Sequence, residues 1–195
     1  MIEDLIERAK KLKERGLTTG EIAAELNVSK ETAMWLLAKA EKEKAPSDVY
    51  VDLKNIASPF RMRCIASAIT DMILENLDER PDVVVGIATS GIPIATLVAE
   101  ELGADLSMYY PKKLKWEGKE QRIGGIFSEN FAKVNERKCV IVDNVITSGS
   151  TIKETAEQIR NRKGEVLCAS VIIDKKGINE MDGFPVLSLF KIVRL

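Results

Sequence analysis

Apolar residues at Ile2, Leu5, Ile6, Ala9 and Leu12 recur at spacings of three and four, which predicts an amphipathic helix that Gly16 ends. A second short helix follows. Thr18 and Thr19 can cap it, Ile22, Ala23 and Leu26 form its buried stripe, and Asn27 suits the left-handed position that closes it. Ser29 caps a third helix, with Thr32, Ala33, Leu36 and Leu37 on its inner side and Ser29 and Glu31 at its exposed beginning. The charged stretch 40–48 ends that helix and passes into a linker at Pro46. Beyond it the pattern changes. Residues 60–77 are amphipathic, VVVGIA from Val83 is a continuous apolar run of strand length, and 92–102 returns to helical spacing. CVIVD from Cys139 and VLCASVIID from Val166 predict two more buried strands, separated by a helix over 151–162. Wholly apolar strands alternating with helices mean a parallel sheet covered by helices on both faces. The fold class expected is therefore α/β for 46–195, preceded by a small all-α domain over 1–45.

Composition narrows the possible partners. The 29 basic residues nearly balance 30 acidic ones, so no broad field exists to hold nucleic acid or an anionic membrane, and any DNA contact has to be local. Met1 to Ala45 holds equal numbers of both signs, which leaves a three-helix packing module as an alternative to a DNA reader. No run of about 18 apolar residues occurs, and the charged start MIEDLIERAKKLKERG does not fit a secretory signal, so no membrane partner and a cytoplasmic location are expected. Cys64, Cys139 and Cys168 lie far apart in apolar stretches and the chain has no histidine, so buried reduced thiols are expected rather than ligands to a metal. Without histidine, acid–base chemistry falls to carboxylates, lysines or the substrate itself.

Candidate chemistry sits at the ends of two strands, where ligands of open α/β sheets bind. In CVIVDNVITSGST, residues 139–151, a buried strand runs into small and hydroxylated residues that open a helix. Gly149 permits an unusual backbone angle, Thr147, Ser148, Ser150 and Thr151 offer hydroxyls, and the amides at the helix start suit a phosphate. Asp143 can accept hydrogen bonds from a vicinal diol. An ordinary, well-capped turn would share the small residues but not their order. GIATSGIP, residues 86–93, is a second turn of this kind, one strand–helix unit earlier.

The order of residues in 139–151 resembles the phosphoribosyl pyrophosphate signature of type I phosphoribosyltransferases: four apolar residues, two acids, then a hydroxylated phosphate loop. The resemblance implies that fold, with Asp143 and Asn144 on the ribose hydroxyls, Thr147, Ser148, Gly149, Ser150 and Thr151 on the 5-phosphate, and magnesium arriving with the ligand rather than bound directly by protein. Ala88, Thr89, Ser90 and Gly91 match the family's pyrophosphate loop. Asn144 stands in the place of the second acid. Within the family, SDVYVDLK (47–54) resembles the hood of orotate phosphoribosyltransferases, which implies that Tyr50 packs on a base. PKKLKWEG (111–118) resembles their lysine-rich loop, which implies catalytic roles for Lys112 and Lys115 beside Asp143, and Gly118 fits it too. Pro111 and Glu117 replace that loop's arginine and histidine. In the tail, Lys175 stands where those enzymes grip the orotate carboxylate with arginine, and a point charge cannot make arginine's planar bidentate pair.

The two short helices joined at Asn27 and Val28 look like a helix-turn-helix. Ser29, Lys30, Glu31 and Thr32 would then face the major groove, and Thr18 and Thr19 a phosphate. A helix-turn-helix fused to a phosphoribosyltransferase domain resembles archaeal and bacterial regulators that use this fold as a sensor. The expectation is a homodimeric transcription regulator that binds an imperfect palindrome and senses phosphoribosyl pyrophosphate or a nucleoside monophosphate, with segment 111–125 as relay. The alternative is an active orotate phosphoribosyltransferase with an appended helical domain.

Overall fold

A computed structural model describes residues 2–38, 46–114 and 124–193. The chain forms two compact units, one from Met1–Leu53 and Lys113–Glu120, the other from Lys54–Lys112 and Gln121–Leu195. The division falls after Leu53, not at Pro46, because 46–53 is fastened to the N-terminal helices. Asp48 accepts the Ser29 amide at 2.7 Å, and the Tyr50 hydroxyl accepts from Arg8 at 2.8 Å.

The first unit comprises α1 (Ile2–Glu14), α2 (Thr19–Glu25) and α3 (Lys30–Ala38). Its core joins Leu5 and Ala9 of α1 to Ile22, Ala23 and Leu26, the turn residue Val28, and Ala33 and Leu36 of α3. Ile2, expected on the inner face, is exposed, while Leu5 and Ala9 are buried. Thr18 closes a capping box with Glu21: its amide donates to the carboxylate at 2.6 Å and its hydroxyl accepts the Glu21 amide at 3.3 Å. Asn27, at φ 53°, makes the expected left-handed turn.

In the second unit a 3-10 turn at Lys54–Ala57 leads into α4 (Pro59–Asn76), then β1 (Val83–Ile87), α5 (Ile92–Leu102), β2 (Asp105–Tyr110), β3 (Ile126–Phe127), β4 (Lys138–Ile146), α6 (Ser150–Arg160), β5 (Glu165–Asp174), β6 (Glu180–Met181) and β7 (Phe184–Lys191). The strands order as β3-β2-β1-β4-β5-β7-β6. Pairings from β2 through β1, β4 and β5 to β7 are parallel, and the short strands β3 and β6 add antiparallel edges. α4 and α5 pack on one face. On the other, Ile152, Ala156 and Ile159 of α6 meet Val85, Ile87, Ile141, Val171 and Phe184. Burial on both sides explains why β1 and β4 carry unbroken apolar runs. β4 extends three residues past Asp143, so Asp143 and Asn144 lie within the strand rather than at its end. Cys139 and Cys168 are buried as expected. Cys64 is exposed, because it lies off the face of α4 that buries Ala66, Ile69, Thr70 and Ile73.

Candidate phosphoribosyl and DNA sites

The chain leaves β1 toward β2 on one side and later returns to place β4 on the other, so the sheet order reverses at β1 and β4. In open α/β sheets the crevice outside such a switch point is where ligands bind. Both small-residue loops fall there, one after β1 and the other after β4. A Cβ on Gly91 would lie 2.8 Å from the carbonyl oxygens of both Ile87 and Val142 and 3.0 Å from the Cα of Asp143. Only a glycine lets the first loop lie against the backbone at Asp143.

In that first loop the Ala88-Thr89 peptide is cis. Ala88 is buried and its amide donates to the Tyr109 carbonyl at 2.8 Å, while the side chains of Thr89 and Ser90 are exposed. In the second, Gly149 sits at φ 82° and ψ −10° as the residue before α6, without a side-chain cap. A Cβ there would also come within 2.9 Å of Ile178 and 3.0 Å of Met181. The hydroxyls of Ser148 and Ser150 are 2.8 Å apart. Asp143 is buried, with one carboxylate oxygen accepting the Asn144 amide at 2.8 Å. Thr147, Thr151, Asn144 and Lys175 are half-buried. The carboxylate of Asp174, just before Lys175, is engaged by the amides of Lys176, Gly177 and Ile178 at 2.6–3.0 Å, which fixes the turn after β5.

A third feature was not foreseen. One oxygen of Glu154, on α6, accepts the Tyr109 hydroxyl at 2.8 Å, the Lys112 amide at 2.9 Å and the Gly125 amide at 2.8 Å. A single carboxylate thus ties the backbone at Lys112 and at Gly125 to α6, the helix that follows the second small-residue loop. Burial, and then the bond to Glu154, push the Tyr109 phenol far above its ordinary range, so it remains a donor. In the sequence Glu154 looks like any helix charge, because its partners are 29 to 45 residues away. The Lys112 side chain is exposed and Pro111 is buried. Lys115, Glu117 and Gly118 lie outside the described residues.

Tyr50 packs against the core of the first unit, with the Arg8 guanidinium 5.9 Å from its ring centroid. The hydrogen bond to Tyr50 is the main cause that raises the Arg8 pKa. At the start of α3, Asp48 accepts the Ser29 amide at 2.7 Å and the Thr32 hydroxyl at 2.9 Å, while Ser29 and Thr32 share a further bond at 2.8 Å. Ser29 and Thr32 are thus engaged at the helix start, and Thr18 in its capping box. Lys30 and Glu31 are exposed, and Thr19 is half-buried.

Comparisons with known proteins agree with this architecture. Residues 52–194 match the phosphoribosyl transferase domain family. Over the whole chain, the sequence is 52% identical to "Transcriptional regulator GfcR" of Archaeoglobus fulgidus, covering 98% of that protein. It is 45% identical to the protein of the same name from Haloferax volcanii, again over the whole chain and 97% of the relative. Among solved structures, the adenine phosphoribosyltransferase of Thermoanaerobacter pseudethanolicus superposes with a TM-score of 0.59 at 16% identity, over 77% of this chain and 92% of that one. The orotate phosphoribosyltransferase of Aeropyrum pernix gives 0.57 at 23% identity, over 76% and 81%. These two support the fold alone. With its type I phosphoribosyltransferase sheet and its full-length relatives, the chain belongs to the phosphoribosyl transferase domain family, in the branch whose members are named transcriptional regulator GfcR.

Proposed function

We propose that the protein is a DNA-binding transcription regulator whose second unit senses phosphoribosyl pyrophosphate or a nucleoside monophosphate. The observation that carries the sensing half is the meeting of two small-residue loops at the switch point, with Gly91 laid on the backbone at Asp143. In this reading the 5-phosphate rests on 147–151, where the start of α6 favours an anion. The ribose hydroxyls reach Asp143 and Asn144, and a pyrophosphate meets 88–91. Asp143 and an uncharged Asn144 offer too few anionic oxygens for a resident magnesium site. Magnesium fits here as the companion of the ligand, held by phosphate oxygens and water. The DNA-binding half rests on the α1–α3 arrangement, with its left-handed turn at Asn27, and on full-length relatives that carry a regulator's name. Two copies related by a two-fold axis would present α3 to successive major grooves and read an imperfect palindrome, in the cytoplasm.

Turnover of orotate is a second reading, with Lys112, Lys115 and Asp143 as the catalytic groups. It is favoured by Glu154, which fastens the Lys112 backbone to the phosphate-loop helix. Against it stands Asn144, since an amide in place of a carboxylate weakens a charge-assisted hydrogen bond by about 1 kcal/mol or more. Release of pyrophosphate from phosphoribosyl pyrophosphate and orotate decides between the readings. Rates within the enzymatic range of about 1 to 1000 per second would favour catalysis.

Calorimetry tests the sensor. The natural protein should bind phosphoribosyl pyrophosphate with magnesium, or a nucleoside monophosphate. Gly149→Val should not, because a β-branched residue cannot hold the φ of 82° and would collide with Ile178. Equal binding by both proteins removes the assignment.

A further inference from the structure

We infer that base reading by α3 falls to the stripe Lys30, Glu31 and Met34, with Met34 meeting a thymine methyl group, while Ser29 and Thr32 are held out of the groove by Asp48. The inference rests on the DNA-binding function proposed above and names the residues that give it specificity.

The outward face of α3 follows from its burial pattern. Ala33 and Leu36 are buried, and Lys30, Glu31, Met34 and Ala38 are exposed at spacings of one, three and four. At about 100° per residue the four fall within one arc of about 100° around the helix. Met34 is 56% exposed, the one apolar side chain of large size that the described part of α3 leaves so open. Thr32 is two residues from Met34, hence about 160° away around a helix of 3.6 residues per turn. Thr32 lies outside the arc that runs from Lys30 to Glu31, and it is half-buried.

Contacts at the helix start agree. Asp48 accepts from the Ser29 amide and the Thr32 hydroxyl, at 2.7 and 2.9 Å, and its other oxygen accepts the Val49 amide at 2.8 Å. The Ser29 hydroxyl also accepts the Thr32 amide at 3.1 Å. The beginning of α3 is therefore filled by the protein's own carboxylate, and a DNA phosphate would have to displace it. Asp48 acts as a positioning residue that sets the helix start from 46–53. What remains on the outside is one cation, one carboxylate and one thioether. These suit the guanine O6/N7 edge, the cytosine amino group and the thymine methyl, three features the major groove presents. Any soluble helix can leave a single methionine exposed. The flanking Lys30 and Glu31 on the same stripe are what distinguish this one.

The test compares duplexes that differ in one methyl group. Fragments selected by the full-length protein supply the site, and each thymine in it is replaced in turn by uracil. With the natural protein, one thymine per half-site should show about fourfold weaker binding as uracil, the value of one buried methyl group. With Met34→Ala the thymine and uracil duplexes should bind equally. Lys30→Ala should relax the preference at a neighbouring guanine. Thr32→Val and Asp48→Asn should change affinity for all sequences alike and leave the preferred sequence unaltered. A uracil penalty that persists in Met34→Ala, or an altered base preference in Thr32→Val, overturns the assignment while leaving DNA binding intact. If the natural protein selects no sequence at all, the assignment falls together with the functional reading beneath it.

Discussion

Asp48 shows how much one side chain decides in a short-helix unit. By accepting from the Ser29 amide and the Thr32 hydroxyl, it holds in place the residue whose hydroxyl caps the Thr32 amide of α3. Asp48→Ala should lower the stability of the N-terminal unit by about 0.5–2 kcal/mol, the usual value of a lost cap, measured as a shift of its thermal transition. The thiols give a second prediction. Burial pushes Cys139 and Cys168 from an ordinary 9.0 up to about 12, so the folded protein disfavours their thiolates. Well below pH 9.0 both thiols are protonated in either state and add nothing to the pH dependence of stability. As pH rises from there toward about 12 the unfolded chain ionises first, and stability falls. At pH 8 a thiol reagent should label exposed Cys64 rapidly and the other two only on unfolding; labelling of all three at one rate would contradict the burial. Sequence reasoning expected three buried thiols because Cys64 lies in an apolar stretch, yet the helical face that α4 buries passes beside it. The contact between Tyr50 and Arg8, 42 positions apart, likewise cannot be seen in a local match.

The turns between strands and helices were the most legible parts of the sequence, since glycine, serine and threonine at a strand end have few other uses. β1, β4, β5, α5 and α6 follow from runs long enough to show their period. β2 is only half-covered, and β3 and β6 have two residues each, too few to establish any alternation. Their place is set by partners, as when Tyr109 pairs with Phe127 in register. The first loop depends on a close approach that no local pattern reveals. Gly91→Ala forces a methyl group against the Val142 carbonyl and the Asp143 Cα, and should cost about 1–3 kcal/mol and weaken phosphoribosyl binding in calorimetry. Unchanged stability and affinity would mean that the two loops do not need this contact. Glu154→Ala removes the acceptor shared by Lys112, Gly125 and Tyr109. Amide exchange at Lys112 and Gly125 should then speed up while β4 and β5 keep their protection, because local opening is governed by local bonds. Loss of protection throughout the sheet would show instead that Glu154 supports the entire unit.

In the proposed function ligand and DNA would be bound by different units, so sensing would require the two equilibria to be coupled. A ligand moves the DNA equilibrium only by preferring one arrangement of the protein, and the coupling free energy must appear equally in both affinities. The near balance of charge in the chain makes this coupling easier to detect. If a regulator without a broad basic field relies on local contacts and on paired copies, as proposed, a change in the relation between two copies alters binding strongly. The sequence suggests both partners, one from the 139–151 loop and one from the pattern over 1–45, and a relay between them in 111–125, but the strength of their linkage is a property of populations. The most direct measurement is the affinity of the full-length protein for its selected duplex, by fluorescence titration, without ligand and with saturating phosphoribosyl pyrophosphate and magnesium. The account predicts a change of about 5- to 150-fold, an equal change in ligand affinity when DNA is added, and no change for Gly149→Val. A DNA affinity that stays the same while calorimetry shows the ligand bound would contradict it.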